Sequence, residues 1–356
     1  MIDNCHRNGT AGTLIIITMP LGDINILSGL INMRAIIQEK YGGPEALRLK
    51  DVAQPSPRKN EVLVKILAAS VNDYDWCLMR GKPFLYRLMF GLLKPKQKIP
   101  GMELSGVIEG LGEGVQKFNV GDAVYGDISE HGFGGFAEYV CVNEQALSLK
   151  PEFMSFTDAA SIPHAALLAK QGLIDVGNIQ PGNKVLINGA GGGVGTFALY
   201  IAKQYGAEVT GVDTGHKLSH MLSIGYDHVI DYTRSDFTQN GLQYDLILDA
   251  KTNRRPTDYM RSLVPGGQYV TVGGNLGRLL QMVVLKRWVR RIHKKAIDIV
   301  SLKSNKDLAY IEKLYEAGKI TPIIDGPHKL SDVPKLIAYF GQGKHTGKVV
   351  VAPWDK

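Results

Sequence analysis

Two patterns of apolar residues follow each other along the chain. Up to about residue 155, short apolar segments are interrupted by Gly and Pro, which is typical of a β-rich, barrel-like domain. From about residue 156, helix-length segments alternate with continuous apolar strands, as in parallel sheets covered by helices on both faces. The pattern therefore predicts an α/β protein in which a β-barrel domain precedes a doubly wound parallel sheet.

Individual strands can be placed within both patterns. In the barrel part we expect strands at residues 33–37, 61–66, 106–108, 122–125 and 137–142. In the parallel sheet we expect six, at residues 184–188, 208–212, 228–230, 245–248, 268–272 and 297–302. A helix is predicted at residues 306–317, and strand-like segments at 320–324 and 348–351 should pack back on the barrel.

These patterns predict the domain organisation. We assign residues 33–155 and 303–356 to the barrel domain and residues 156–302 to a dinucleotide-binding domain. Residues 1–32 lack the basic region of a secretory signal and the composition of a transit peptide. We expect them to form a poorly ordered N-terminal extension, or to precede a translation start at Met33.

Composition restricts the class of protein. The chain is 44% hydrophobic and 21% charged, which is ordinary for a globular protein, and it contains three cysteines without the spacing of a disulfide framework. We therefore expect a reducing, cytoplasmic location. No apolar run approaches the length of a membrane span. The net charge is +7, and a basic cluster at residues 286–295 favours an amphipathic surface helix or loop, with a membrane or nucleic-acid patch as the alternative.

A glycine-rich turn is the strongest functional signal. The predicted strand 184–188 runs directly into Gly-Ala-Gly-Gly-Gly-Val-Gly at residues 189–195, and a helical segment follows at 196–205. Gly189, Gly192 and Gly195 have the spacing that lets a backbone turn tightly, approach a pyrophosphate and pack the helix on the strand. With a second strand that ends at Asp213, the sequence predicts a dinucleotide-binding motif.

The coenzyme preference is ambiguous at this motif. Asp213 could bind the ribose hydroxyls of NAD, and its charge would repel a 2′-phosphate. Thr214 and Lys217 follow at once, with a hydroxyl and an ammonium that suit the 2′-phosphate of NADP. We therefore expect NADP(H) to be preferred and NAD(H) to be possible.

Several motifs in the same order resemble one enzyme family. They are Met33-Arg-Ala, residues 69–72, 132–139 and 185–195, and the segment 227–232. Over residues 33–353 the chain resembles the zinc-free quinone oxidoreductases, or zeta-crystallin-like proteins, among the medium-chain dehydrogenase/reductases. The resemblance implies a GroES-like barrel completed by the C-terminal segment, a Rossmann domain, a coenzyme in the cleft between them, and a homodimer.

The resemblance also implies roles for particular residues. Asn72 would lie at the nicotinamide end and hydrogen-bond the acceptor oxygen, although a turn Asn is the alternative, and the role of Tyr74 on the same loop is open. Gly192, Gly193 and Val194 would contact the pyrophosphate, and Lys217 and Tyr232 the adenosine phosphate. Val272, Gly273 and Gly274 would approach the nicotinamide.

Zinc is not expected. Zinc-dependent alcohol dehydrogenases of the superfamily take catalytic ligands from a Cys and a Gly-His-Glu segment, where this chain has Ala69-Ser-Val-Asn72 and Gly101-Met-Glu103. Two further positions depart from the pattern: Leu168 replaces a common Thr, and Lys251 replaces a small residue after Asp249. Either could weaken nicotinamide binding, or Lys251 could add a phosphate contact.

The leading hypothesis is an NADP(H)-dependent reductase of a small, apolar, electrophilic quinone or α,β-unsaturated carbonyl. Without a metal, hydride transfer to such an electron-poor acceptor depends mainly on positioning. One alternative is NAD(P)-dependent alcohol dehydrogenase activity. The other, from a different class, is a dinucleotide-sensing or nucleic-acid-binding protein with little turnover, although binding of nucleic acid is not the favoured reading.

Overall fold

Two large sheets of different strand arrangement and a small sheet, formed by the first two strands, make up the framework of the described residues. The computed structural model describes residues 32–274 and 276–354. The strands are β1 (Asn32–Gln38), β2 (Leu47–Ala53), β3 (Glu61–Ser70), β4 (Glu103–Leu111), β5 (Ala123–Asp127), β6 (Tyr139–Asn143), β7 (Ser148–Leu149), β8 (Lys184–Asn188), β9 (Glu208–Asp213), β10 (His228–Asp231), β11 (Tyr244–Asp249), β12 (Leu263–Thr271), β13 (Ala296–Ile299), β14 (Ile324–Lys329) and β15 (Lys348–Ala352). The α-helices are α1 (Asp73–Arg80), α2 (Leu85–Phe90), α3 (Phe156–Ser161), α4 (Pro163–Lys170), α5 (Gly193–Gln204), α6 (Leu218–Ser223), α7 (Pro256–Arg261), α8 (Leu276–His293), α9 (Leu308–Glu316) and α10 (Val333–Gly341).

Six parallel strands form the dinucleotide-type sheet, in the order β10-β9-β8-β11-β12-β13. Successive side chains of β8 point to opposite faces, so Val185 and Ile187 join one apolar core while Leu186 joins another. Both faces are therefore covered, which explains why this strand is apolar at consecutive positions. The predicted α/β class with a doubly wound parallel sheet is confirmed, and all six predicted strands overlap an observed one.

The second sheet has seven strands and includes the C-terminal segment. Its order is β14-β15-β3-β4-β5-β7. β6 pairs with residues 61–65 at the start of β3, whereas β15 pairs with residues 69–70 at its end. β15 runs antiparallel to β3, with Val351 opposite Ala69. This pairing brings Lys348, the first residue of β15, close to the loop that follows β3.

The structure corrects one expectation about a local element. The predicted strand at 320–324 is wrong, because β14 begins only at Ile324; Ile320 is instead buried in the core beside α9.

The segment between β3 and β4 contains two helices, α1 and α2. α1 ends at Arg80, and the left-handed φ of +59° at the next residue, Gly81, closes the helix.

Two further predictions concern the ends and the surface of the chain. The N-terminal extension predicted at residues 1–32 lies, except for Asn32, outside the described residues. The basic cluster at 286–295 belongs largely to α8, so the predicted surface helix is present and begins ten residues earlier than the cluster. Within the described residues, no helix has both the length and the apolar character needed to cross a membrane.

Candidate active site

The glycine-rich turn joins β8 to α5. Gly189 has a left-handed φ of +89°, and Gly192 precedes the helix with extended backbone. A Cβ on Gly195 would lie 2.4 Å from the carbonyl oxygen of Ala190, so this position has no room for a side chain. The first amide groups of α5 therefore follow a tight turn, which is the geometry that binds phosphate groups at a helix N-terminus.

Asp213, at the end of β9, is buried beside this turn. Its Oδ2 accepts a hydrogen bond from the N–H of Gly191 at 2.9 Å, and its Oδ1 accepts one from the N–H of Thr214 at 2.8 Å. The Nζ of Lys217 lies 3.4 Å from Oδ1 of Asp213, and the Lys217 side chain is only 1% exposed. Burial lowers the pKa of Lys217, and the charge of Asp213 opposes that effect. Asp213 thus holds the turn in place and compensates a buried cation.

Two further lysines lie against the same turn. A Cβ on Gly189 would be 3.0 Å from Cε of Lys251, and a Cβ on Gly193 would be 2.6 Å from Cδ of Lys348. With Lys217, three lysine side chains converge on a segment of about five residues. Three lysine ammoniums are opposed by two carboxylates, that of Asp213 and a second one described below. The turn therefore keeps a local positive potential suited to an anionic ligand.

A buried histidine completes the surroundings of the turn. His345 is 4% exposed, and its ring stacks on Phe340 with 4.4 Å between ring centroids. Burial and the charges of Lys217 and Lys251 lower the pKa of His345 to about 3, so the ring is neutral at physiological pH. Among the described residues, its Nδ1 has no hydrogen-bond partner. A buried polar atom of this kind is costly without a partner, which fits a site that a ligand completes.

The second carboxylate is that of Glu103, the first residue of β4 in the seven-stranded sheet. Its side chain is fully buried, and its Oε2 accepts a hydrogen bond from Nζ of Lys348 at 2.7 Å. The hydroxyl of Ser70 donates to the same oxygen, and the N–H of His164 donates to Oε1 at 2.8 Å. Four segments of the chain therefore meet at one carboxylate.

Asn72 lies at this junction, immediately before α1. The Nζ of Lys348 donates to its Oδ1 at 2.6 Å, and its Nδ2 donates to Oε2 of Glu103 at 3.0 Å. Its N–H donates to Oδ2 of Asp75 at 2.9 Å. These bonds fix the orientation of the amide, and the residue is only 3% exposed. Burial raises the pKa of Asp75 to about 7, although hydrogen bonds from two backbone N–H groups oppose this shift.

A histidine between two carboxylates lies beside Asn72. The Nδ1 of His164 is 2.9 Å from Oδ2 of Asp127, and its Nε2 is 3.4 Å from Oδ1 of Asp73. Burial disfavours the charged ring, yet the hydrogen bonds and charges of both carboxylates raise the pKa of His164 to about 10. The ring is therefore an imidazolium at neutral pH. Because the Asp73 side chain is 61% exposed, this group connects the interior of the site to solvent.

Tyr74 begins a row of aromatic rings that leads away from His164. Its ring centroid is 6.3 Å from that of His164 and 5.8 Å from that of Tyr86. The row continues through Phe90 to Phe133 at similar spacing. Burial and the neighbouring carboxylates raise the pKa of Tyr74, so its hydroxyl is protonated at neutral pH. The four rings therefore form an apolar surface that has the charged His164 ring at one end.

The remaining predicted contacts lie around the same turn. Thr214 follows Asp213, and Tyr232 is 43% exposed, with its N–H donating to the carbonyl of Asp213. Gly273 and Gly274, directly after Val272, have φ values of +145° and +129°. Val194 is partly buried at the start of α5.

The two departures noted in the sequence have different surroundings. Leu168 is 6% exposed and packs in the apolar core beside the parallel sheet. Lys251 lies against Gly189, on the turn itself.

Sequence reasoning missed Glu103, His164, Asp127, His345 and Lys348 as site residues. Glu103 was noted only as part of a missing zinc motif, and Lys348 only as the start of a strand. The signal that could have identified Lys348 is a charged residue at the beginning of an apolar strand, next to a glycine. The partners of His164 are 37 and 91 residues distant, so no local pattern joins them.

Comparison with known proteins places this geometry in a family. The alcohol dehydrogenase GroES-like domain matches residues 58–152, and the zinc-binding dehydrogenase domain matches residues 224–351. The 2-methylene-furan-3-one reductase of Solanum lycopersicum is 30% identical over 332 residues, which cover 90% of this chain and 79% of that protein. The chain belongs to the quinone oxidoreductase-like family of medium-chain dehydrogenase/reductases.

Other members support the same assignment. The chloroplastic NADPH-dependent alkenal/one oxidoreductase of Arabidopsis thaliana is 29% identical and covers 90% of this chain and 80% of its own. The quinone oxidoreductase structure from Coxiella burnetii superposes with a TM-score of 0.80 at 28% identity, covering 91% of this chain and all of that one. The family member described here is thus an NAD(P)H oxidoreductase, and the expected combination of GroES-like and Rossmann folds is confirmed.

The first prediction tests the buried pair of Lys348 and Glu103. In Lys348→Met, Glu103 keeps a buried charge without its cation, so we expect the free energy of unfolding to fall by about 3–5 kcal/mol. The double variant Lys348→Met/Glu103→Gln should recover much of this loss. Denaturant unfolding measures both, with the exposed Lys319→Met as control. A loss below about 0.5 kcal/mol in the single variant would show that the ion pair does not make this contribution to the free energy of unfolding.

The second prediction concerns the charge of His164. Its pKa of about 10 in the folded protein exceeds the ordinary 6.5, so its stabilising effect is complete below pH 6.5 and is lost as pH rises toward 10. The stability difference between the wild type and His164→Gln should shrink between pH 7 and 9.5, by up to about 1.4 kcal/mol per pH unit. Denaturant unfolding across this range measures it. His131→Gln, at an exposed position, gives the background, and a difference independent of pH would contradict the imidazolium.

Proposed function

We propose that the enzyme uses NADPH in preference to NADH, needs no zinc, and reduces a quinone or an α,β-unsaturated carbonyl compound. The observation that carries the proposal is the position of Lys348. Its methylene groups lie against Gly193 at the start of α5, while its ammonium binds Asn72 and Glu103. The phosphate end and the acceptor end of the site are thus adjacent.

The residues around the glycine-rich turn fit a nicotinamide dinucleotide. Gly192, Gly193 and Val194 leave partly exposed backbone at the N-terminus of α5, where a pyrophosphate binds favourably. Lys217 and Lys251 supply positive charge nearby, and the unpaired Nδ1 of His345 offers a further polar contact.

The preference for NADPH rests on charge. Both oxygens of Asp213 are already occupied by backbone N–H groups, so this carboxylate is poorly placed to bind ribose hydroxyls. Thr214 and Tyr232 remain next to it, with hydroxyl groups for the adenosine phosphate. Lys217 and Lys251 lie near a single aspartate, and the surplus positive charge favours the coenzyme with the additional phosphate.

The residues at the zinc-ligand positions of the superfamily do not fit a metal. Glu103 shares its carboxylate with the ammonium of Lys348, whose charge would repel a divalent cation. Its neighbour Met102 offers a buried thioether in place of an imidazole. The domain described as zinc-binding matches residues 224–351, which contain neither Glu103 nor Met102.

The acceptor side can stabilise the charge that develops during reduction. When bound, the coenzyme supplies a hydride, and negative charge then appears on the carbonyl oxygen of the acceptor. Two donors lie on this side: the ammonium of Lys348, whose methylene groups contact the glycine-rich turn, and the amide Nδ2 of Asn72, which binds the same carboxylate. Because both are fixed before the acceptor binds, they require little reorganisation. Tyr74 and the imidazolium of His164 hold protons close by, and Asp73 links His164 to solvent.

The apolar row of Tyr74, Tyr86, Phe90 and Phe133 favours a small, planar and apolar acceptor. The names of the relatives agree with this chemistry, since they include reductases of a furanone, of alkenals and of quinones. The planar conjugated acceptors share the electron-poor carbon that accepts hydride without metal activation.

Three organisational expectations belong to the same proposal. The domain boundaries at 155/156 and 302/303 and the cytoplasmic location stay predictions; several relatives carry chloroplastic or mitochondrial names. The homodimer is supported by β13, which is the outermost strand of the parallel sheet and can pair with a second copy along its edge.

The third prediction is the activity itself. With a chelator present, we expect the enzyme to oxidise NADPH in the presence of ortho- or para-quinones or enones, with kcat/KM at least about tenfold above that for NADH. Nicotinamide absorbance follows the reaction, and simple alcohols with NADP serve as the control substrates. Chelator-sensitive alcohol oxidation would favour the alcohol dehydrogenase alternative. Tight coenzyme binding without turnover would favour a sensing protein.

The fourth prediction separates binding from folding at the glycine-rich turn. A Cβ on Gly192 would have its nearest neighbours at 3.5 Å and 3.6 Å, so Gly192→Ala should keep its stability but weaken NADPH binding about tenfold by blocking the backbone approach. Gly195→Ala would force its Cβ onto the backbone and should lower stability by about 1–3 kcal/mol. Calorimetric titration and thermal unfolding measure the two effects. Unchanged NADPH affinity in Gly192→Ala would place the pyrophosphate elsewhere.

A further inference from the structure

One face of α8 exposes large apolar side chains. Met282 and Val289 are buried and attach the helix to the core beside the parallel sheet. Away from that contact, Leu280 is 65% exposed and Val284 is 70% exposed. The exposed apolar residues of this helix are Leu276, Leu280, Val283, Val284, Trp288 and Ile292. Their helical spacing places them along one continuous stripe, which we call the α8 face.

The same helix is strongly basic. Residues 276–295 contain seven lysine and arginine residues and no aspartate or glutamate. Arg287 and Arg291 are exposed and, one turn apart, lie between the apolar positions of the α8 face. Since the whole chain carries +7, removing these seven charges leaves the rest of the protein neutral. The net positive charge of the protein is therefore equal to the charge of this one segment.

A partner that matches both the apolar stripe and the basic residues must offer an apolar region together with negative charge. A solvated helix would place polar residues on the exposed side, whereas this one places apolar residues both on its buried side and on its outer side. A bilayer with anionic headgroups satisfies both requirements, because apolar side chains enter the headgroup boundary while arginines contact phosphates. Trp288 is 47% exposed at the basic end of the stripe, and tryptophan is enriched at such interfaces.

We propose that the α8 face lies in the surface of an anionic membrane and holds the enzyme there peripherally. The helix lies in the plane of the interface and does not cross the bilayer. Other occupants fit less well. A second copy of α8 would bring ten lysine and arginine side chains together, five from each helix, and nucleic acid would contact the arginines but leave the apolar stripe exposed. The proposal stands on the α8 face alone and does not depend on which acceptor the enzyme reduces.

The test is sedimentation of the full-length protein with sucrose-loaded vesicles. Phosphatidylcholine vesicles are compared with vesicles that contain phosphatidylglycerol as a quarter of the lipid, at low and at high salt. We expect binding to the anionic vesicles that decreases with salt, and little binding to the neutral ones. Trp288 fluorescence should shift to shorter wavelength on binding, and the shift should disappear in Trp288→Phe.

Two variants test the two parts of the face. Arg287→Glu/Arg291→Glu reverses two charges, and we expect its partition coefficient on anionic vesicles to fall more than about tenfold, since each basic residue contributes about fivefold. Leu280→Gln/Val284→Gln removes apolar contacts and should bind at least about tenfold more weakly at high salt. The control Lys59→Glu/Lys319→Glu makes the same change of net charge at exposed positions away from α8 and should bind like the wild type.

The rate of coenzyme oxidation in solution distinguishes the membrane proposal from the proposed reductase activity. Each α8 variant should retain the wild-type reductase rate with a soluble acceptor, because α8 lies outside the catalytic contacts described above. Loss of vesicle binding with that rate unchanged would support the membrane proposal. Equal vesicle binding by the arginine variant and the lysine control would overturn it, as would duplex DNA binding without vesicle binding. A dimer that Leu280→Gln/Val284→Gln converts to monomer would also overturn it, by assigning the face to a second copy.

Discussion

The ion pair between Lys348 and Glu103 is the interaction on which the rest of the site depends. A buried carboxylate and a buried ammonium are tolerable only when each is fully hydrogen-bonded, and this pair recruits Ser70, Asn72 and the backbone of His164 to achieve that. The pair joins β4, β15 and the loop after β3. Because Lys348 also lies on Gly193, the same interaction fixes the distance between the barrel and the glycine-rich turn.

Charge is distributed in two ways that serve different ends. Inside the site, three cations have a carboxylate close to them: Lys217 has Asp213, Lys348 has Glu103, and His164 has Asp127 and Asp73. Such pairing allows ionised groups to persist under burial and positions them before any ligand arrives. On α8, by contrast, Arg287 and Arg291 are exposed at the surface. The buried charges therefore hold side chains of the candidate site in position, whereas the exposed charges of α8 can attract an anionic partner.

The proposed reductase activity and the proposed membrane binding are both consistent with an apolar acceptor. Quinones and long-chain enones are apolar and partition into lipid, and an apolar aromatic row borders the candidate site. A reductase held at a bilayer surface would meet such acceptors at higher local concentration than one in bulk solution. The chemistry proposed for Asn72 and Lys348 does not depend on where the acceptor comes from, so the location of the enzyme and its reaction can be tested separately.

The sequence by itself determined the fold class, the six parallel strands and the glycine-rich turn, because apolar periodicity and glycine spacing are local signals. It also indicated the reductase family through motifs in a fixed order. It could not decide whether Asp213 binds ribose or holds the turn, since that depends on which N–H groups its carboxylate meets. Only the tertiary structure brought Lys348 to Asn72, 276 residues away, and enclosed His164 between two carboxylates. Those contacts arise from strand pairing across the whole chain, and no local pattern encodes them.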